Sequence, residues 1–174
     1  MPDIDLALGR HGAFTRTAAL AALGAYRVRT AVECGEWQSP WSGVYVEAAR
    51  ASDPLTLAAA AVELAGGDVL VAGPTATHLH GCRALSPTPI HLVVPYEHWL
   101  RSRAGLVVHN GRVEDRDRSV LLDLPVLGLE RTLGDLLCGA RTSDPLAVTD
   151  EALRMIDPGR RDAFAPGAAT AAEK

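Results

Sequence analysis

The sequence predicts an α+β protein made of two unlike parts, and three observations lead to this class. Two short helical patterns followed by a hairpin pattern occupy residues 11–46. A candidate linker at residues 48–54, which ends in Ser52-Asp53-Pro54, separates them from a second part, in which strand and helix patterns alternate. The 174 residues, of which 48% are hydrophobic and 22% charged, are enough to bury the core of one or two domains.

The first helical patterns are short. Residues 4–10 carry apolar residues with weak helical spacing, which predicts a brief first helix. Thr15 is a favourable N-cap for a second helix over residues 16–23, whose small apolar residues permit close packing. Gly24 predicts the C-cap of that helix, because glycine adopts the left-handed backbone conformation at low cost.

A third helix is predicted over residues 25–34. Val28, Ala31 and Val32 recur on one face of it, with polar side chains on the other. Gly35 ends this helix, and its ten residues make a rod of about 15 Å. That length suits the major groove of DNA, which is about 12 Å wide.

A small β-ribbon follows. Residues 36–39 and 44–47 predict two strands, and Pro40 and Gly43 favour the turn between them. Helix, turn, helix and ribbon in this order predict a winged helix-turn-helix domain over residues 1–50.

The charge distribution favours a DNA-binding role for this first domain. Residues 6–32 contain four arginines and no acid. Since the whole chain carries a net charge of −4, the remainder carries −8, so positive charge is concentrated on the predicted motif. The candidate DNA-binding residues are Thr15, Arg16, Tyr26, Arg27, Arg29 and Thr30.

These residues have different expected roles. Arg16 would hold a phosphate at the start of its helix. Arg27, Arg29 and Thr30 would enter the major groove, where arginine is suited to bidentate contact with guanine. A solvated helix face is the alternative, but the position of this helix after Arg16 and before a hairpin favours the DNA contact. Trp37 is interpreted as a hydrophobic plug between ribbon and helices, with packing on DNA as the alternative for Trp37 and Trp41.

The second part, residues 53–157, is predicted to be a small mixed α/β domain. Helices are expected over residues 54–64, from Pro74 onwards, 129–138 and 144–156. Strands are expected over residues 69–72, 90–94, 105–109 and 121–127, the last interrupted by Pro125. Residues 158–174 lack apolar periodicity and are predicted to form a flexible tail.

Several short segments, taken together, resemble the AbiE-type antitoxins of type IV toxin–antitoxin systems. The segments are Gly12-Ala13-Phe14-Thr15-Arg16, residues 18–20, Gly35-Glu36-Trp37, Gly43-Val44-Tyr45-Val46, Gly73-Pro74-Thr75-Ala76, Leu79-His80-Gly81 and residues 131–136. The resemblance covers residues 6–155. It implies a winged-helix domain that represses the protein's own promoter and an α/β domain that opposes a nucleotidyltransferase-like toxin.

The chain departs from this family in two ways. Many relatives continue into a nuclease-like domain, whereas here no carboxylate–carboxylate–lysine set is visible and the only lysine is Lys174. Family wings commonly carry Arg or Lys near the tip, whereas residues 38–42 here are Gln, Ser, Pro, Trp and Ser. The uncharged wing tip removes an expected phosphate clamp. The predicted motif, its charge and the resemblance still favour a DNA-binding, antitoxin-like regulator, and the missing nuclease set indicates no enzymatic activity.

Two other functions remain open. One is a protein-interaction module whose winged helix no longer binds DNA, and the other is the remnant of an enzyme that has lost its nuclease domain. The expected partners are double-stranded DNA, a cognate toxin and a second copy on DNA. A cytoplasmic location is expected, since the sequence contains no apolar run long enough for a membrane span and no secretory signal.

No cofactor and no metal are expected. The three cysteines are odd in number and lack a Cys-x-x-Cys pair, which argues against a disulfide framework or a zinc ribbon. His78, His80 and Cys82 suggest a metal site, but residues two apart on a helix point in nearly opposite directions.

Arg131 and Asp135 predict an ion pair, and the charged residues 114–118 are interpreted as a solvated loop, with a toxin contact as the alternative.

Overall fold

A computed structural model describes residues 9–139 and 144–155, with side chains in the last segment from residue 146 onwards. The expected helix over residues 4–10 lies almost entirely outside the described residues, as does the expected tail. The helices are α1 (Arg16–Glu33), α2 (Pro54–Ala65), α3 (Gly73–Leu79), α4 (Leu129–Gly139) and α5 (Asp144–Met155). The strands are β1 (Ala13–Thr15), β2 (Trp37–Gln38), β3 (Val44–Glu47), β4 (Leu70–Val71), β5 (Ile90–Val94), β6 (Leu106–Asn110), β7 (Arg118–Leu121) and β8 (Leu124–Leu127).

The chain divides into two compact units, Met1–Gly67 and Asp68–Lys174. The boundary predicted from the sequence lies within residues 48–54. The two divisions differ because α2, expected in the second part, packs against β1 and β3 of the first unit. Residues 48–54 instead hold a 3-10 turn and the Asp53 cap, whose carboxylate accepts from the backbone amides of Leu55 and Thr56.

Helix α1 is two helical segments separated at Gly24, as the sequence predicts. Gly24 has φ 76° and ψ 160°, a backbone conformation that only glycine adopts readily. The first segment starts at its expected cap, where the Thr15 hydroxyl accepts a hydrogen bond from the backbone amide of Ala18 at 3.1 Å. The second segment ends at Cys34.

A three-stranded antiparallel sheet in the order β1-β3-β2 accompanies these helices. The expected ribbon corresponds to β2 and β3, while β1 was missed by the sequence analysis. Phe14 of β1 pairs with Tyr45 of β3, and Trp37 of β2 pairs with Glu47. Strand β1 of this sheet therefore directly precedes α1 in the chain, and β2 and β3 follow α1.

Trp37 lies at the centre of the core of this unit. It is 5% exposed and meets the Phe14 ring edge-on, with centroids 4.6 Å apart. The same cluster contains Ala19 from the first segment of α1 and Val28 from the second. The interpretation of Trp37 as a plug between ribbon and helices is confirmed.

The second unit contains a five-stranded mixed sheet in the order β6-β5-β4-β8-β7. Strands β5 and β6 are parallel, as are β4 and β8, whereas β4–β5 and β7–β8 are antiparallel. Helix α3 packs on β5 and α4, and α4 packs on α5. Ile90, Leu92 and Val94 of β5 are buried, and alternate with the half-buried His91 and Val93.

The expectation of one strand over residues 121–127 was wrong. The chain forms a hairpin there, because Leu122 and Asp123 make a two-residue turn with φ 51° and 58° between β7 and β8. Turns of this kind usually contain Asn or Gly, so the sequence gives little sign of this one. Pro125 lies within β8, opposite Val120.

Replacing the turn Leu122-Asp123 by Asn-Gly is expected to raise the free energy of unfolding by about 1 kcal/mol, because both positions adopt a left-handed backbone that most L-residues disfavour. Urea unfolding of the double variant measures the gain. A loss of stability would contradict this account of the turn.

Two of the charged residues 114–118 are half-buried and form ion pairs within the second unit. Arg118 forms a bidentate pair with Asp68, with N–O distances of 2.6 and 3.0 Å. Asp117 pairs at 3.0 Å with Arg131, which also makes the expected contact with Asp135 at 2.8 Å. The preference for a solvated loop was therefore wrong for Asp117 and Arg118.

No helix within residues 9–139 and 144–155 is both long enough and apolar enough to cross a membrane. This finding agrees with the sequence, which contains no long apolar run.

Candidate nucleic-acid interface

The start of α1 is tied to the turn between β2 and β3. The backbone amide of Arg16 donates to the carbonyl of Gly43 at 2.8 Å, while the Arg16 side chain is exposed. Thr15 is half-buried, and its hydroxyl is engaged in capping the helix. Thr15 therefore positions the helix, and Arg16 is the side chain at this end that can reach a ligand.

The segment of α1 after Gly24 buries one face and exposes the other. Val28 and Ala31 are in the core, 4% and 7% exposed, whereas Tyr26 is 73% exposed. Val32, which the sequence analysis placed on the packed face, is exposed instead. Since each residue turns the helix by about 100°, Tyr26 and Thr30 share the outer face.

Arg29 and Glu33 share this outer face with Tyr26. The Arg29 guanidinium lies 5.8 Å from the centre of the Tyr26 ring, and its Nε is 3.7 Å from Glu33 Oε1. Exposed contacts of these kinds contribute about 1 kcal/mol or less. An anion that binds more strongly can therefore displace Tyr26 and Glu33 from the Arg29 guanidinium. Thr30 donates its hydroxyl proton to the Tyr26 carbonyl at 3.0 Å and keeps its acceptor capacity.

Arg16 and Arg27 are exposed and have no ion pair with any residue in the described ranges. Arg27 lies at the edge of the outer face, about 100° around the helix from Tyr26. The structure thus brings Tyr26, Arg29 and Thr30 together, with Arg27 beside them. Arg16 lies at the far end of the preceding segment of α1.

The turn between β2 and β3 carries no positive charge. The Ser39 hydroxyl lies within hydrogen-bond distance of the carbonyls of Trp41 and Val44, at 2.9 and 3.0 Å. Trp41 is 7% exposed, so its ring packs inward. Packing of Trp37 or Trp41 on a DNA backbone would require side chains that this structure buries.

The residues of the suggested metal motif have other partners. His80 Nε2 lies 2.9 Å from the carbonyl of Leu127, and Cys82 is buried beside Leu133. His78 contacts the Arg83 guanidinium, with Nδ1 2.8 Å from Nη1. These contacts give each of the three side chains a structural role.

A second histidine pair lies on neighbouring strands, where His91 Nδ1 is 3.0 Å from His109 Nε2. Burial, and then the nearby His109, lowers the pKa of His91 to about 4. A hydrogen bond of this kind uses the proton of one ring and the lone pair of the other, so the pair does not offer two free lone pairs to an ion. In the described ranges no group of three or more His, Cys, Asp and Glu side chains could hold a metal ion.

The free energy of unfolding of the second unit should fall as the pH drops below about 6.5. Burial lowers the pKa of His80, although its hydrogen bond to the Leu127 carbonyl acts in the opposite direction. Because the unfolded chain binds this proton first, stability present above the unfolded pKa is lost as pH falls towards the folded one. His80→Gln should reduce the decline, measured by urea unfolding at pH 7 and 5. An unchanged decline in His80→Gln, or an equal reduction in the control His11→Gln, would contradict this role.

Comparisons with known proteins add no identification. No protein-family model matches this sequence, and no curated protein matches it.

Proposed function

We propose that this chain is a DNA-binding, antitoxin-like transcriptional regulator. In this proposal the first unit is a winged helix-turn-helix that represses the protein's own promoter, and the second unit counteracts a nucleotidyltransferase-like toxin. The observation that carries the DNA-binding part is the outward face of α1 after Gly24, where Arg27 and Arg29 are exposed next to Tyr26 and Thr30.

The arrangement of the first unit supports this role. A short helix, a break at Gly24 and a second helix are followed by a hairpin, which is the order of elements in DNA-binding motifs of this type. Arg16, at the start of the first segment of α1, is placed to hold a phosphate, because helix N-termini favour anions. The antitoxin part rests on the sequence resemblance alone.

A shallow salt dependence should accompany DNA binding. With about three arginines meeting phosphates, the slope of log K against log salt concentration should be roughly −3. Affinity for a single copy should be weak. Two copies on an inverted repeat, with half-sites one or two helical turns apart, would then supply useful affinity.

Arg27→Ala is expected to weaken binding to the operator by about 1–3 kcal/mol and to relax sequence specificity, because a base-reading contact is lost. Arg16→Ala should weaken binding to all duplexes alike and reduce the steepness of the salt slope by about 0.9. Fluorescence anisotropy with the upstream DNA, over a series of salt concentrations, measures both. Arg154→Ala on α5 is the matched control and should bind as the parent does.

Failure of the parent protein to bind its own upstream region at low salt would refute the DNA-binding role. Co-expression with a neighbouring toxin gene tests the other half of the proposal. The double variant R16A/R27A should still restore growth if the antitoxin effect resides in the second unit, whereas loss of rescue would assign it to the first.

The alternative is a protein-interaction module that no longer binds DNA, and two observations favour it. The turn between β2 and β3 has no basic side chain, and Glu33 places a negative charge beside Arg29. If the chain does bind DNA and the negative charge of Glu33 merely weakens that binding, then Glu33→Gln should tighten operator binding. An unchanged lack of binding in Glu33→Gln would support the interaction module.

A further inference from the structure

The second unit contains a cleft of about 430 Å³. Ligand sites in proteins usually enclose about 300–1,000 Å³. Leu70 and Val93 are among its apolar lining residues, and the polar side chains are those of Tyr96, Glu97, Arg112 and the Asp68–Arg118 pair. Of these residues, only Arg118 was considered from the sequence, as part of the charged residues 114–118 with a toxin contact as the alternative.

The cleft lies where two parallel strands end. Tyr96 comes two residues after β5 and Arg112 two residues after β6, and these strands run parallel. Their carboxyl ends therefore meet at one edge of the sheet, which is where ligands commonly bind in open sheets containing parallel strands.

An exposed aromatic ring and an unengaged cation line this cleft together. Tyr96 is 69% exposed, so its ring can stack on a flat ligand. Arg112 is exposed and has no hydrogen bond or ion pair with any other described residue. The opposing charges are Asp68, which Arg118 already neutralises, and Glu97.

The segment after Tyr96 carries further exposed aromatic and cationic side chains. Trp99 is 62% exposed and packs against His98, with ring centres 5.8 Å apart. The segment is anchored by the fully buried Leu100 and by Arg101, whose guanidinium donates to the carbonyls of His98 and Leu100. From residue 98 to residue 113 the chain contains three arginines and no acid.

We propose that the cleft and the adjoining Trp99 segment bind single-stranded nucleic acid, with a base stacked on Tyr96 and a neighbouring phosphate paired with Arg112. A flat base with an anionic phosphate matches the ring and the free cation that line the cleft. Trp99 and Arg101 offer a second exposed ring and a second exposed cation three and five residues after Tyr96, which favours a strand over a free nucleotide. A second copy of the chain is disfavoured as occupant, because the arginines of the two surfaces would face each other.

Anisotropy of fluorescein-labelled (dT)10 with the full chain tests this. Tyr96→Ala should weaken binding about tenfold, as loss of one base–aromatic stack predicts, and Tyr96→Phe should retain it. Arg112→Ala should also weaken binding about tenfold and make the salt slope shallower by about 0.7. Glu97→Gln should tighten binding, a gain that a folding defect would not produce. Arg154→Ala is the control and should have no effect.

Competition experiments separate the alternatives. Unlabelled (dT)10 should displace the probe at least tenfold better than UMP, a non-operator duplex or polyglutamate. Equal displacement by UMP would overturn the assignment to a strand, and equal displacement by polyglutamate would overturn the nucleic-acid assignment in favour of an acidic protein.

The site is independent of the proposed operator contacts. The double variant R16A/R27A should bind (dT)10 as the parent does, and Arg112→Ala should bind the operator as the parent does. Loss of (dT)10 binding in R16A/R27A would place the single strand on α1 and refute the cleft, whatever the outcome for the operator.

Discussion

Trp37→Ala should lower the free energy of unfolding of the first unit by about 3–5 kcal/mol, the range for truncating a large buried aromatic side chain. Trp37 is 5% exposed and contacts the ring of Phe14 edge-on, and Tyr45 lies with its ring centre 6.0 Å away. The substitution leaves a cavity between the sheet and both segments of α1. Since small domains are stable by only about 5–15 kcal/mol, this loss removes a large part of the total.

Trp99→Ala is the matched control, because Trp99 is 62% exposed and should change stability by no more than about 0.5 kcal/mol. Urea unfolding followed by far-ultraviolet circular dichroism, with amide hydrogen exchange to assign the loss to residues 9–67, makes the comparison. Equal effects of the two substitutions would show that Trp37 does not hold this core together.

Gly24→Ala should cost up to about 3 kcal/mol of stability in the first unit. Gly24 has φ 76° and ψ 160°, a region that is essentially restricted to glycine, and no neighbouring atom lies within 4 Å of an added Cβ. The cost therefore arises from backbone strain and not from a steric clash. Alanine favours instead a continuous helix, which would turn the outer face of Arg27 and Arg29 away from its present direction.

Gly139→Ala provides the control, because Gly139 also has open space around it but is not among the glycines with positive φ. Urea unfolding compares the two variants, and operator binding gives a second measurement. A Gly24→Ala protein as stable as the parent would show that the break in α1 is not needed for folding.

The local elements of the first unit could be predicted because single residues specify them. Thr15 and Gly24 determine where the helical segments start and break, and their chemistry is readable without a structure. Strand β1 could not be predicted in this way. Its three residues, Ala13–Thr15, are too few to show an alternating pattern, and they are strand only because β3 pairs with them.

The boundary predicted from the sequence differs from the division into compact units for a related reason. The cap at Asp53 predicts the start of α2, but the residues Ala58–Ala61 are all fully buried. A helix that is apolar on every side has no distinct packing face, so its sequence does not indicate which strands it meets. The exposed face of α1 was readable from its polar residues, whereas the Tyr96–Arg112 cleft forms only when β5 and β6 bring distant residues together.

The strand order of the second unit has a consequence for protein synthesis. Strand β4 pairs with β5 about twenty residues later in the chain and with β8 about fifty residues later, and the β8 pairing is parallel. All the strands of the first unit, by contrast, lie within its own residues up to Gly67. During translation the first unit can fold as soon as Gly67 has emerged, while β4 keeps one unpaired edge until β8 has been made. The nascent second unit therefore exposes an unpaired strand edge for longer than the first unit does, and such edges promote aggregation.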